Sequence, residues 1–340
     1  MGERLRAFGA GLVAVAPHRG AHRVALRAAV SIAVPLLVLW GLGRLDLSIY
    51  ASFGAFAALY GRADAFGDRI RMQAAAALTL IGAMLIGTAL SVVGAPAAVR
   101  VLVVALVAAV VTLVAAAGRW HPPGALFAVF AAGACATLPA TAASFAAVLI
   151  VAGAGALFAL LLTVALAALR GGLRDGRRIA RARLGATAVE MAIAVGAGSA
   201  LAGLAGLALL GTHWYWAMVA AVAALGGASV TARVVRGFQR LLGTVVGILL
   251  AAGLLALHLP PLLIIAAAVL LQVGAELFVG RNYGIAMVFV TPLALLMIEL
   301  AVPADPALLI RDRILDTLVG VAIGTVVAVL SARVRRGRTP

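Results

Sequence analysis

The sequence predicts an all-α polytopic membrane protein of about twelve transmembrane helices, arranged as two parallel six-helix repeats. Three observations carry this: the composition, the spacing of apolar stretches, and a weak internal duplication. Of the 340 residues 65% are apolar and 11% charged, with a mean hydropathy of +1.18. A soluble domain carries roughly 25% charged residues. One soluble core stops growing near ~250–300 residues and cannot hide this much apolar surface, so lipid must take the place of water. A soluble enzyme, a nucleic-acid-binding module and a disordered chain are excluded.

A helix crossing about 30 Å of hydrocarbon needs roughly 20 apolar residues. Read in order, spans are expected at 24–43, 46–61, 73–94, 97–117, 124–139 and 142–168, then at 185–210, 213–230, 241–258, 261–279, 282–300 and 314–332. The second and fifth are short, and eleven spans is the competing count. The corresponding segments are a cytoplasmic N-terminal stretch 1–23, a first membrane repeat 24–169, a basic linker 170–183, a second repeat 184–332 and a basic tail 333–340. The first 23 residues are broken by Arg, His and Pro, and no cleavable signal peptide is expected.

Charge orients the spans. All 27 basic residues are arginine, for a net charge of +16. With both termini on one side, that side carries 23 arginines and the other only Arg44, Arg100, Arg311 and Arg313. The positive-inside rule makes the richer side cytoplasmic. The expected location is the inner membrane, multi-pass, with both termini cytoplasmic. The basic balance is thus membrane orientation, and no nucleic-acid partner is expected. The single cysteine, Cys135, excludes a disulfide framework.

The halves echo each other. The run from Ile49 to Leu59 lies over Tyr215 to Leu225 at an offset of 166, where Gln73 also meets Gln239. Gly118-Arg119 meets Gly280-Arg281 at an offset of 162. Six spans per unit give both copies the same topology, which suits a pseudo-two-fold axis along the membrane normal with a substrate site between the halves.

Three runs in the second half carry a resemblance. They are His213-Trp-Tyr-Trp-Ala-Met-Val, the loop Arg233 to Gly247, and Gly280-Arg-Asn-Tyr-Gly continuing to Leu293. With Arg313-Ile-Leu-Asp-Thr-Leu-Val-Gly320 before the last span, the chain resembles the fusaric acid resistance protein-like family, relatives of the aromatic acid exporters. The first half adds weaker echoes at Tyr50-Ala-Ser-Phe-Gly and 69–73. The resemblance implies inner-membrane efflux of small aromatic or other organic acid anions. Larger members carry a sizeable cytoplasmic domain, for which this chain offers only the short linker and tail. A distant likeness of one half to plant aluminium-activated malate transporters keeps a passive anion channel as an alternative. A non-transporting scaffold for envelope assembly is the other.

Ionisable groups inside a membrane cost a few kcal/mol and are functional candidates by default. Glu276 is the sharpest, with Gln272 one turn earlier on the same face. It is the candidate for proton coupling, or else for a structural ion pair with Arg281, Arg119 or Arg240. Asn282 and Tyr283 open span eleven, where Thr291 and Pro292 free a backbone carbonyl and suit a cavity wall. Arg119 and His121 hold the matching place in the first half. Gln239 and Arg240 are placed at the inner mouth, and Trp216 belongs to an aromatic belt or a stacking platform. Expected partners are the bilayer, a small organic anion and protons; a homo-oligomer is compatible with the sequence. There is no nucleotide-binding loop, no metal-ligand spacing and no nucleophile–base motif, so no cofactor, metal or enzymatic activity is expected.

Overall fold

The computed structural model describes residues 9–18, 20–62, 64–172, 184–211, 213–227, 229–302 and 305–336. Most of the expected basic linker and the end of the tail lie outside the described residues. The described chain is helical and contains no strand. Its first half comprises α1 (Ala21–Gly41), α2 (Ser48–Ala55, running on as a 3-10 turn Phe56–Leu59), α3 (Phe66–Val92), α4 (Ala97–Ala117), α5 (Leu126–Thr137) and α6 (Ala142–Ala168). The second comprises α7 (Ala186–Leu210), α8 (Trp214–Leu225), α9 (Val230–Ala256), α10 (Pro261–Phe278), α11 (Tyr283–Ala301) and α12 (Pro306–Arg336).

Each of the twelve apolar stretches becomes a helix, but nine helices among the described residues are long and apolar enough to cross a membrane. The other three are α2, α5 and α8. A helix of 12 residues, the length of α5 and α8, reaches only about 18 Å. Local sequence stops each one. After α2, Gly61 adopts φ +69°, a left-handed conformation that favours glycine. Pro139 forces Leu138 out of the helical region at the end of α5. At the end of α8 Gly226 is extended and Gly227 takes φ +134°. All twelve residues of α8 are buried. Short helices of this kind are tolerated at membrane depth because protein, not lipid, surrounds their ends.

Three helices start earlier than hydropathy predicts. α9 begins at Val230, so the expected loop Arg233 to Gly247 is helical, and α3 and α12 begin at Phe66 and Pro306. Helix caps explain two starts elsewhere in this region: Ser229 accepts from the Ala232 N–H at 3.1 Å before α9, and Asn282 accepts from the Ile285 N–H at 3.0 Å before α11.

The helix pairings recur in both halves. In the first, α3 packs on α5, α2 on α6, α1 on α2 and α4 on α5; in the second, α9 packs on α11, α8 on α12, α7 on α8 and α10 on α11. Between the halves, α4 packs on α7 and α1 on α10, and the short helices meet as α5 on α8 and α2 on α11. Advancing each helix number by six turns one set into the other. Glycine sets the same close approach twice: a methyl at Gly54 would strike the Ala152 carbonyl between α2 and α6, and one at Gly320 would strike the Ala217 carbonyl between α8 and α12. Outside, leucine and valine remain exposed, as at Leu242, Val245, Val246 and Leu249 along α9. That surface is a lipid face.

Candidate functional site

The short helices leave space between the halves. A cavity of about 850 Å³ is enclosed there by α1, α2, α4 and α5 of the first half and by α7 to α12 of the second. Its exposed lining residues, Arg119, His121, Pro123 and Gly227, lie at the end of the bundle where α4 and α8 finish. Toward the opposite end the lining is buried or half-buried, as at Tyr215, Arg313 and Ile298. The cavity therefore opens at one end only.

One wall is aromatic. Phe53 meets Phe130 edge-on with ring centroids 5.2 Å apart, Phe130 stacks on Tyr215 at 5.9 Å, and Tyr60 meets Trp120 at 5.4 Å. These rings come from α2, α5, α8 and the turns beside them, so the broken helices that shape the cavity also pave it.

The cavity lining is also cationic. Arg233, Arg236 and Arg240 recur at helical spacing on α9, and the last two line the cavity. Arg240 is buried, donating from Nη1 to the Tyr283 hydroxyl at 2.8 Å, with its Nε left without a partner. The Arg236 guanidinium lies 3.9 Å from the centre of the Tyr283 ring. Arg313 of α12 is also buried, and its guanidinium sits 5.1 Å from the Trp216 ring. Among the described residues no carboxylate forms a salt bridge within 4.0 Å of Arg236, Arg240 or Arg313, although the buried Asp316, three residues further along α12, attracts Arg313 electrostatically; Glu276 pairs with Arg62. Gln272 supports that pair, donating to Glu276 at 3.3 Å. Taking a guanidinium out of water costs several kcal/mol unless a counter-charge accompanies it, so a negative charge placed beside these arginines would be stabilised.

Other arginines have structural work. Arg27 donates from Nε and Nη2 to the Ala58 carbonyl at 3.2 and 3.0 Å, and Arg233 donates to the Gly227 carbonyl at 3.0 Å. Each satisfies carbonyls at the end of a short helix, where backbone acceptors lack partners and positive charge is favoured.

Of the residues singled out from sequence, Arg119, His121, Arg240, Gln272, Glu276 and Tyr283 line the cavity. The others lie elsewhere. Gln239 donates to the Gly11 carbonyl at 3.1 Å, Asn282 to those of Leu12 and Ala14 at 3.0 Å, and Arg281 to that of Ala16 at 2.8 Å. They clamp an N-terminal strap across α9 and α11. Thr291 and Pro292 are buried in α11 against Gly247 of α9. Trp216 is fully buried, stacked on His213 at 4.8 Å, and His213 in turn lies 2.9 Å from Asp312. None of the three lines the cavity; their chain neighbours Tyr215 and Arg313 do, toward its closed end. Glu276 pairs with Arg62, not with Arg281, Arg119 or Arg240. Sequence reasoning missed Arg62 and Arg236 as cavity residues. The three-and-four spacing of Arg233, Arg236 and Arg240 was the available signal for Arg236; a pairing across 214 positions, as between Arg62 and Glu276, leaves none.

Residues 197–327 match the fusaric acid resistance protein-like family model. The fusaric acid resistance protein-like segment runs from within α7 to within α12, and so contains Arg236, Arg240, Glu276, Tyr283 and Arg313. The aromatic wall from α2 and α5, and Arg62, lie outside it. No curated protein and no solved structure matches the chain. The nine apolar helices and this segment make the chain a multi-pass membrane protein.

Proposed function

We propose that the chain is an inner-membrane secondary transporter that exports organic acid anions, aromatic ones among them, driven by the proton gradient. The observation that carries this reading is the arginine wall: Arg236, Arg240 and Arg313 in a cavity between the halves, with no carboxylate salt-bridged to them among the described residues. A carboxylate placed there receives charge-assisted hydrogen bonds, each worth roughly 1.5–3 kcal/mol. The aromatic wall supplies apolar contact for a ring.

In this reading the two halves are parallel repeats about an axis along the membrane normal, supported by pairings that advance by six. The open end of the cavity faces the cytoplasm, a reading the arginine distribution supports, and the Trp216–His213–Asp312 group lies toward the outer end. A sealed end supports alternating access over an open channel. Glu276 is the coupling group. An arriving anion competes for Arg62; once the site has turned outward and released the anion, Glu276 takes up a proton there and releases it to the cytoplasm, so one proton enters for each anion exported. No bond in the substrate is made or broken.

The test is efflux of salicylate from proteoliposomes of the purified full chain under an imposed pH gradient. Export that follows the gradient and falls about ten-fold or more in Arg240→Gln supports the reading. Currents that follow voltage and anion gradient without proton flux select a channel. No flux of any organic anion, with a stoichiometric protein partner retained in detergent, selects a scaffold.

A further inference from the structure

The two seams between the halves differ. Where α1 meets α10, Ile32, Leu36, Ile265 and Leu271 fill the contact and are buried. Where α4 meets α7, the seam is filled only in part. Val101 lies against Gly203, and Ala109 against Gly196, so the helices close there through small residues. Toward the start of α7 they part, and a groove of about 420 Å³ runs between Thr112 and Ala116 of α4 and 184–191 at the start of α7.

This groove adjoins the arginine-walled cavity: Thr112, Ala116 and Met191 line both. It is mostly apolar: Ala116, Leu184, Ala188 and Met191 line it, the Thr112 hydroxyl is spent on the Ala108 carbonyl at 2.7 Å, and the exposed Thr187 adds one further hydroxyl. Leu106 and Val110 of α4, and Val189 and Ile193 of α7, flank it as exposed apolar residues of the lipid face. α7 begins on the side where the cavity opens, so the groove lies in the leaflet of that side.

We propose that the groove is a lateral portal through which a membrane-partitioned amphiphilic carboxylate, such as a medium-chain fatty acid, enters from the cytoplasmic leaflet. The hydrocarbon tail lies in the groove and the carboxylate reaches the arginine wall. Hydrocarbon in the groove loses nothing by leaving lipid, and the carboxylate gains counter-charge only inside. Continuity between an uncharged slot and a cationic chamber selects a ligand with one apolar and one anionic end. The inference rests on the anion-transport reading and extends its substrate class.

Two measurements on the full chain in phosphatidylethanolamine–phosphatidylglycerol vesicles test it. Ala188 lines the groove and not the cavity, so Ala188→Trp obstructs the portal alone. Export of dodecanoate is expected to fall about ten-fold, by overpacking, with salicylate export unchanged. In wild-type protein, dodecanoate carrying a diazirine at its tail is expected to label peptides spanning 112–116 and 184–191. Unchanged dodecanoate export in Ala188→Trp, equal loss of both substrates, or labelling confined to other segments overturns the portal. Groove labelling without flux of either acid would instead overturn the transport reading and leave the groove as a binding site.

Discussion

Arg62, in the turn that ends α2, forms an ion pair with Glu276 on α10, joining the two halves of the molecule inside the cavity. Glu276 is buried and Arg62 is about a quarter exposed. The pair is the only salt bridge among the described residues that lines the cavity. It divides the five arginines that line the cavity into Arg62, which is salt-bridged, and Arg119, Arg236, Arg240 and Arg313, which form no salt bridge among the described residues.

Breaking the pair from one side leaves an unpaired charge, a loss of about 3–5 kcal/mol for fully buried pairs and less here because Arg62 reaches solvent. Glu276→Gln is therefore expected to lower the melting temperature in detergent and to flatten the pH dependence of efflux. It frees Arg62 for the anion, so apparent affinity rises. The double variant Arg62→Met with Glu276→Leu should regain most of the stability, because removing both charges removes the desolvation cost. Melting curves and pH-dependent efflux check these outcomes.

Arg240 predicts an opposite effect. Without anion its buried charge is destabilising, so Arg240→Met should melt higher than wild type in anion-free buffer. Wild type should gain stability on adding salicylate, and Arg240→Met should gain none. Tyr283→Phe removes the hydrogen bond that orients Arg240 and should weaken salicylate binding by about ten-fold, from a loss of roughly 1.5 kcal/mol. Thermal shifts across a salicylate titration separate the two variants.

The glycine contacts between short and long helices tolerate no methyl group. Gly54→Ala and Gly320→Ala should each cost about 1–3 kcal/mol by overpacking. Gly82→Ala, where the new methyl meets open space, should cost nothing. Denaturation in mixed detergent, compared across the three variants, is the measurement.

The strap over α9 and α11 hangs on Asn282, which caps α11 and holds the Leu12 and Ala14 carbonyls. Asn282→Ala should cost about 1–2 kcal/mol from the cap alone. It should also raise amide exchange and protease cleavage within 9–18 while leaving α10 protected. Hydrogen exchange followed by mass spectrometry reads both regions at once.

Much of this architecture is legible in the sequence. Spans expected at 97–117 and 142–168 coincide with α4 and α6, and each remaining apolar stretch produced a helix. Hydropathy falters where burial in protein and exposure to lipid look alike. α8 is as apolar as a span, yet every one of its residues is buried and it ends after 12. The reverse error occurs in α9, where three arginines suggest a loop but recur along a helix, two lining the cavity and Arg233 bonded to the Gly227 carbonyl. Glu276 and Gln272 stand out from sequence because they interrupt an apolar run. Arg62 does not, since its role depends on a fold that returns α10 to the end of α2. The strap residues mislead for a related reason: polar side chains at an inner mouth satisfy a folded-back backbone as readily as a solute.

The central claim is that an organic anion occupies the chamber between the halves on the Arg240 wall. Structure determination of the full chain with 4-bromobenzoate, using the bromine anomalous signal, tests it most directly. The account predicts one bromine peak inside the cavity against the Phe130–Tyr215 wall, with the carboxylate turned to Arg240, and its loss in Arg240→Gln. A cavity without bromine, or a peak that persists unchanged in Arg240→Gln, would contradict it.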